Sequence, residues 1–294
     1  MRADQIERIK SGRGFIAALD QSGGSTPKTL KLYGLDESKY HNDEEMFDLV
    51  HQMRSRIIAS PVFDHHRILA VILFEKTMER KIDGIHSAEY LWKVKGIPSF
   101  LKVDNGLREE SDGVQLMKEI PQLGKRISEA LSHGILGTKM RSVIKSANVL
   151  GIEKVLDQQF EYAETILASD LIPIIEPEVD INSSEKRVIE GLLLDRLKDK
   201  LDALPEDAKV VLKLTLPEEN NLYKGLLSHR AVLRIAALSG GYSRSEANQR
   251  LSQNEGVIAS FSRALTEGLT AKQSEDDFNE ALDKSIESIY RASI

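Results

Sequence analysis

A lysine stands in the middle of an apolar run, Val210-Val211-Leu212-Lys213-Leu214-Thr215-Leu216. Read as a strand of period two, Val211, Lys213 and Thr215 share one face, and Val210, Leu212, Leu214 and Leu216 share the other. Burying an ammonium there is costly, because desolvation disfavours the charged form. Two readings meet that cost. The side chain can snorkel to water from a strand end, or it can serve as an amine that attacks a carbonyl and forms a Schiff base. An unperturbed lysine is neutral only about once in several thousand at pH 7, so reactivity depends on neighbours. Lys139 and Arg141 would favour the neutral amine by like-charge repulsion, and Glu176 and Glu178 would oppose them. The residues alone leave that balance open.

The elements that must position these groups follow from the apolar pattern. Strand-like runs end at Asp20, Glu75, Lys102, Lys139 with Arg141, Glu176 with Glu178, Lys213, Ser239 and Arg263. Helical patterns separate most of them, including Asn42 or Asp43 to Ser60, Ser87 to Val94, Leu123 to Ser132 and Asn148 to Ala168. Another is expected from Ser184 to Leu204, with Asn182 and Ser183 as its caps. Alternation of this kind gives a parallel sheet, and eight units predict an α/β fold, a closed (β/α)8 TIM barrel. An open doubly wound sheet is the rival. One segment, Asn221 to Arg230, is short for a crossover helix. With no repeat or linker, the chain reads as a single domain over 1–294, with an N-terminal helix over about 1–12 and a C-terminal helix over about 274–290.

In a parallel barrel the C-terminal strand ends carry the active site. Lys139 and Arg141 are two apart and share a face, as do Glu176 and Glu178. Any one such pair could be a structural ion pair; all eight ends together point to catalysis. Two loops suit phosphate. Ser239-Gly240-Gly241 and Arg263 follow the last two strands, where open backbone N–H groups and a guanidinium match a dianion. Ser22-Gly23-Gly24-Ser25, across the ring, could hold a second phosphate with Lys102. Ordinary βα turns are the plain alternative, since Gly-Gly alone carries little.

Composition bounds the rest. The chain has 294 residues, no cysteine and a net charge of −6. Thiolate catalysis, disulfides and cysteine metal sites are excluded, a reducing cytoplasm is compatible, and nucleic acid is not the expected partner. No signal peptide is expected from the charged start, and no apolar run is long enough to span a bilayer, so no membrane association is expected. His65-His66 precedes a strand, at the wrong end of a barrel for a site, and reads as two solvated loop histidines rather than a metal centre.

At these residues the sequence resembles class I, Schiff-base-forming fructose-1,6-bisphosphate aldolase, and looks like its compact bacterial branch. The likeness runs from about Gly14 to Leu265. It rests on Ala17-Ala18-Leu19-Asp20-Gln21-Ser22, Val71-Ile72-Leu73-Phe74-Glu75, Leu101-Lys102-Val103-Asp104-Asn105-Gly106 and Thr138-Lys139-Met140-Arg141. It continues through Pro173-Ile174-Ile175-Glu176-Pro177-Glu178, Leu212-Lys213, Leu238-Ser239-Gly240-Gly241 and Ser260-Phe261-Ser262-Arg263-Ala264-Leu265. The set in this order is far more specific than any one motif.

The resemblance implies a metal-independent lyase of glycolysis that takes a sugar bisphosphate to triose phosphates, with no cofactor and room for a homo-oligomer. It implies that Lys213 forms the imine, with Glu176 as acid and base and Glu178 in support. Lys139 and Asp20 would order the reacting groups. Ser239, Gly240, Gly241 and Arg263 would hold one phosphate, and Ser22, Ser25, Lys102 and Arg141 the other. Ser262 stands where the animal enzymes have glycine, and Tyr290 is not terminal, so the role of a terminal tyrosine is not carried over. Another Schiff-base barrel, such as a transaldolase or a one-phosphate aldolase, and a non-catalytic barrel scaffold are the competing readings.

Overall fold

Eight apolar runs become eight parallel strands. They are β1 (Phe15–Leu19), β2 (Ile68–Leu73), β3 (Ser99–Lys102) and β4 (Gly137–Ile144), then β5 (Ile172–Val179), β6 (Val210–Thr215), β7 (Val232–Leu238) and β8 (Ile258–Ala259). The computed structural model describes residues 2–22 and 26–294. Each strand pairs with the next in chain order, and the Ala18 N–H donates to the Phe261 carbonyl at 3.2 Å, which joins the first strand to the segment after the last. The sheet is therefore a closed barrel, and the open alternative falls.

Period-two alternation sorts the side chains into two cores. Ile16, Ala18, Ile72, Phe100, Ile174 and Val211 point into the barrel. Phe15, Leu19, Val71, Leu73, Val210 and Leu212 point out, into the layer of helices. Each fully buried side chain of this size contributes about 1.5–3 kcal/mol, so a one-residue slip of any strand would forfeit both layers. Gly137 makes room inside: a Cβ there would lie 2.0 Å from the Ile172 carbonyl oxygen and 2.7 Å from the Phe100 ring.

The helices follow the sequence pattern with local exceptions. They are α1 (Arg2–Ser11), α2 (Thr26–Leu32), α3 (Asp43–Ala59), α4 (Glu75–Met78), α5 (Ser87–Lys93) and α6 (Leu123–Ser132). The remainder are α7 (Val149–Leu167), α8 (Lys186–Asp202), α9 (Arg244–Leu251), α10 (Arg263–Thr266) and α11 (Glu275–Ala292). Asn42, Asn148 and Ser274 each cap their helix by accepting a backbone N–H with the side chain. The expected caps of α8 bond no N–H inside that helix, the Ser183 hydroxyl accepting only the Glu185 N–H just before it. The Ser183 hydroxyl is drawn to the Lys145 carbonyl at 2.7 Å and Asn182 to Asp180, so the helix begins two residues later, at Lys186. Between β6 and β7 the short segment holds only a 3₁₀ turn, Lys224–Ser228. The strand at Gly137 runs on to Ile144, past the predicted end at Arg141, because Val114 and Gln115 pair antiparallel with its last residues.

One end of the barrel is plugged. Ile9 of α1 belongs to the inner core, and Arg234 of β7 donates to the carbonyls of Ile9 and Gly12 at 2.8 and 2.7 Å, covering the C-terminal end of that helix. The opposite end stays open and polar. Because Gly137 faces a backbone oxygen and a packed ring, Gly137→Ala should cost about 1–3 kcal/mol through overpacking. Thermal unfolding reads it, and an unchanged melting temperature would contradict the packing described.

Candidate active site

The open end is a bowl of about 500 Å³. Six basic and four acidic side chains line it, so a chain of net charge −6 carries a local positive excess there. Such an excess in a concave site concentrates anions.

The centre of the bowl is built by β4, β5 and β6. Lys213 lies in the middle of β6, and its Nζ is 3.0 Å from Glu176 Oε1. The other oxygen of Glu176 is 3.1 Å from Lys139 Nζ, an ion pair without hydrogen-bond alignment. Lys139 Nζ is in turn 2.6 Å from Asp20 Oδ2, at the end of β1. All four side chains are buried. Alternation explains the convergence: Lys139 and Arg141 on β4, Glu176 and Glu178 on β5, and Lys213 on β6 are inward positions directly above the apolar inner core.

The charges set one another. Burial would raise the Asp20 carboxyl, but the Lys139 ammonium, with Lys213 and Lys102 behind it, outweighs burial and holds Asp20 far below the usual carboxylate range. Burial would lower Lys139, yet Asp20 and Glu176 hold its ammonium well above the ordinary lysine range. Glu178 is pushed up by burial against the pull of Arg141, whose Nη1 lies 2.8 Å away. Lys102 is lowered by burial although Asp104 holds it at 2.8 Å.

Most of the residues singled out from the sequence meet here. Asp20, Ser22, Lys102, Lys139, Arg141, Glu176, Glu178, Lys213, Ser239, Gly240 and Arg263 all line the bowl. Gly240 and Gly241 have φ of +60° and +127°, which explains the glycines. A Cβ on Gly241 would come within 3.6 Å of the Arg263 guanidinium, and that guanidinium is exposed and pairs with no carboxylate among the described residues. Ser262, at φ −109°, has backbone geometry open to any residue. Lys102 and Arg141 stand differently, each already in an ion pair. Ser25, with Gly23 and Gly24, lies outside the described residues. Glu75 opens α4 and reaches Arg126 at 4.0 Å instead of lining the bowl. His65 and His66 stack in the exposed turn before β2.

Three residues escaped the sequence reading. Asp104 holds Lys102. Arg54, fully buried on α3, donates to the Gln21 carbonyl at 2.5 Å and to Thr77 Oγ1 at 2.7 Å; burial lowers its pKa to about 10 against the pull of Asp20. Gln159 on α7 binds the backbone of Glu176. The available signal was a polar residue inside an apolar helical stripe: Arg54 among Val50, Met53, Ile57 and Ile58, and Gln159 among Val155, Leu156 and Ala163.

A closed (β/α)8 barrel with an amine and a carboxylate touching across neighbouring strands, beneath its open end, defines a protein equipped for covalent carbonyl chemistry. Residues 2–193 match the family model "Glycolytic: Fructose-bisphosphate aldolase class-I". The chain belongs to the class I fructose-bisphosphate aldolase family. It is 59% identical over 291 residues to the fructose-bisphosphate aldolase class 1 of Synechocystis, covering 99% of this chain and 97% of that one. It is 55% identical to the protein of the same description from Clostridium acetobutylicum, over the full length of both. Among solved structures it is similar in fold to an aldolase from Plasmodium falciparum, solved with TRAP and a small-molecule inhibitor. That likeness has a TM-score of 0.78 at 20% identity and covers 99% of this chain and 93% of the other.

The Asp20–Lys139 pair fixes a pH dependence. The depressed carboxyl contributes stability in full above its unfolded value, about pH 4, and loses it as pH falls below that. The raised ammonium contributes in full below about pH 10 and loses it as pH rises further. Lys139→Met leaves Asp20 buried without its nearest cation, so burial should push that carboxyl up. The variant should lose about 3–5 kcal/mol at neutral pH and a smaller amount in mild acid, by urea unfolding at both. An equal deficit at both would contradict the pairing.

Proposed function

We propose that this chain cleaves fructose 1,6-bisphosphate reversibly to dihydroxyacetone phosphate and glyceraldehyde 3-phosphate through an imine on Lys213. The observation that carries the reading is the contact of Lys213 Nζ with Glu176 at 3.0 Å, inside a positively lined bowl. Glu176 takes the proton from the ammonium, which frees the nitrogen lone pair to attack the C2 ketone carbon. The carboxyl then returns a proton to the carbinolamine hydroxyl, and water leaves as the C=N bond forms.

The protonated imine is the electron sink. Glu176, ionised again, removes the proton of the C4 hydroxyl; the C3–C4 pair flows to nitrogen, and glyceraldehyde 3-phosphate departs. The enamine takes a proton at C3, and water hydrolyses the imine to release dihydroxyacetone phosphate. Lys139 and Asp20 order the reacting oxygens, and Glu178 supports Glu176. Ser239, Gly240, Gly241 and the exposed Arg263 receive the phosphate nearest the ketone. Ser22, Ser25, Lys102 and Arg141 receive the other, at the cost of loosening two ion pairs.

In this reading the chain acts as one catalytic domain in cytoplasmic glycolysis, alone or as a homo-oligomer. No described helix is long and apolar enough to cross a membrane. The test is a coupled assay of fructose 1,6-bisphosphate cleavage with a chelator present. Activity should persist, and Lys213→Met should lower kcat on the order of 10⁴-fold or more while the fold is kept. Unaltered turnover in that variant, or activity on a monophosphate with none on the bisphosphate, would overturn the assignment.

A further inference from the structure

The ladder between β5 and β6 is short. Its pairs are Ile174 with Val211 and Ile175 with Leu212. The next pair in that register would be Glu176 with Lys213, and there the pairing stops. On the flanks it continues, to Ile144 with Val179 between β4 and β5 and to Thr215 with Leu238 between β6 and β7. Pro177 has no N–H to carry the ladder on.

Leaving a buried backbone group unpaired is costly, and near this seam two side chains bond the backbone of β5 directly. Gln159 of α7, fully buried, accepts the Glu176 N–H at 2.9 Å through Oε1 and donates from Nε2 to the Glu176 carbonyl at 3.1 Å. Farther along, the Thr215 hydroxyl accepts the Val179 N–H at 2.8 Å and donates to its carbonyl at 2.9 Å. A primary amide offers one acceptor and one donor side by side, so this one side chain meets both backbone groups of Glu176.

We infer that Gln159 is a positioning residue: by clamping the Glu176 N–H and C=O beside the point where the β5–β6 ladder ends, Gln159 fixes the distance from the Glu176 carboxylate to the Lys213 amine. It touches neither substrate nor the reacting atoms. The inference rests on the lysine–glutamate chemistry proposed above. Placement of this kind matters because a misplacement of about 1 Å in a reacting pair can cost on the order of 100-fold in rate.

Gln159→Leu and Gln159→Glu separate positioning from packing. Leucine fills a similar volume with no donor or acceptor. A protonated glutamate keeps both, whereas an ionised one keeps only acceptors and faces the Glu176 carbonyl. Two readouts are used: steady-state cleavage of fructose 1,6-bisphosphate, and the pH profile of Lys213 reductive methylation by formaldehyde and cyanoborohydride, read by peptide mass spectrometry without substrate. The leucine variant should lose about 10–100-fold in kcat with KM within about threefold, and its Lys213 labelling profile should shift. The glutamate variant should approach wild-type kcat as pH falls and its carboxyl protonates.

A folded leucine variant with a lower melting temperature but unchanged kcat and unchanged labelling would overturn the inference. Should the leucine variant not fold, a glutamate variant whose activity follows the wild-type pH profile would overturn it instead. Wild-type protein that labels at Lys213 yet cleaves nothing would count against the proposed reaction, and the labelling shift would still decide the role of Gln159.

Discussion

The Glu176 carboxylate sits between two buried ammonium groups, and the mouth of the barrel is organised around it. At a separation of about 3 Å and an effective dielectric near 20, one such contact is worth on the order of 5 kcal/mol before desolvation. Taking each ion out of water costs several kcal/mol, so an isolated buried pair gains little. Sharing one carboxylate between Lys213 and Lys139, with Asp20 closing the row on the far side of Lys139, spreads the cost over two attractions for each inner ion. The arrangement holds only while every member keeps its place.

The scaffold divides its labour along the barrel axis. Below, small and branched apolar residues with Phe100 fill the interior, and α1 seals the end under the guanidinium of Arg234. Above, the same inward positions carry charge. The change happens within single strands: Ile174 and Glu176 are consecutive inward residues of β5, and Val211 and Lys213 of β6. A rigid apolar floor therefore supports the ionic layer directly, and the β5–β6 ladder ends at the level of that layer. Arg54 and Gln159 reach in from the helices to hold loop and strand backbone at the same height.

Much of this was legible in the sequence, for physical reasons. Strand and helix periodicities mark β2, β7, α6 and α7 nearly to the residue, because each buries a continuous apolar face. Inward charged positions two apart identify Lys139, Arg141, Glu176 and Glu178 without coordinates, since alternation is geometric. What the sequence concealed depends on tertiary partners. Ser183 looks like a helix cap but is claimed by the Lys145 carbonyl, and Glu75 ends an apolar run yet turns outward into α4. Lys102 and Arg141 look like free phosphate ligands, but Asp104 and Glu178 already hold them. Arg54 and Gln159 were invisible as site residues because their role lies in backbone groups that only the folded chain presents.

In the reaction proposed above, one nitrogen, Lys213 Nζ, becomes bonded to a ketone carbon. Reduction with borohydride in the presence of dihydroxyacetone phosphate, followed by peptide mapping, tests it directly. One stable adduct per chain is expected, carried by the peptide containing Lys213 and absent without the ketone. An adduct on another lysine, or none at all in active protein, would contradict it.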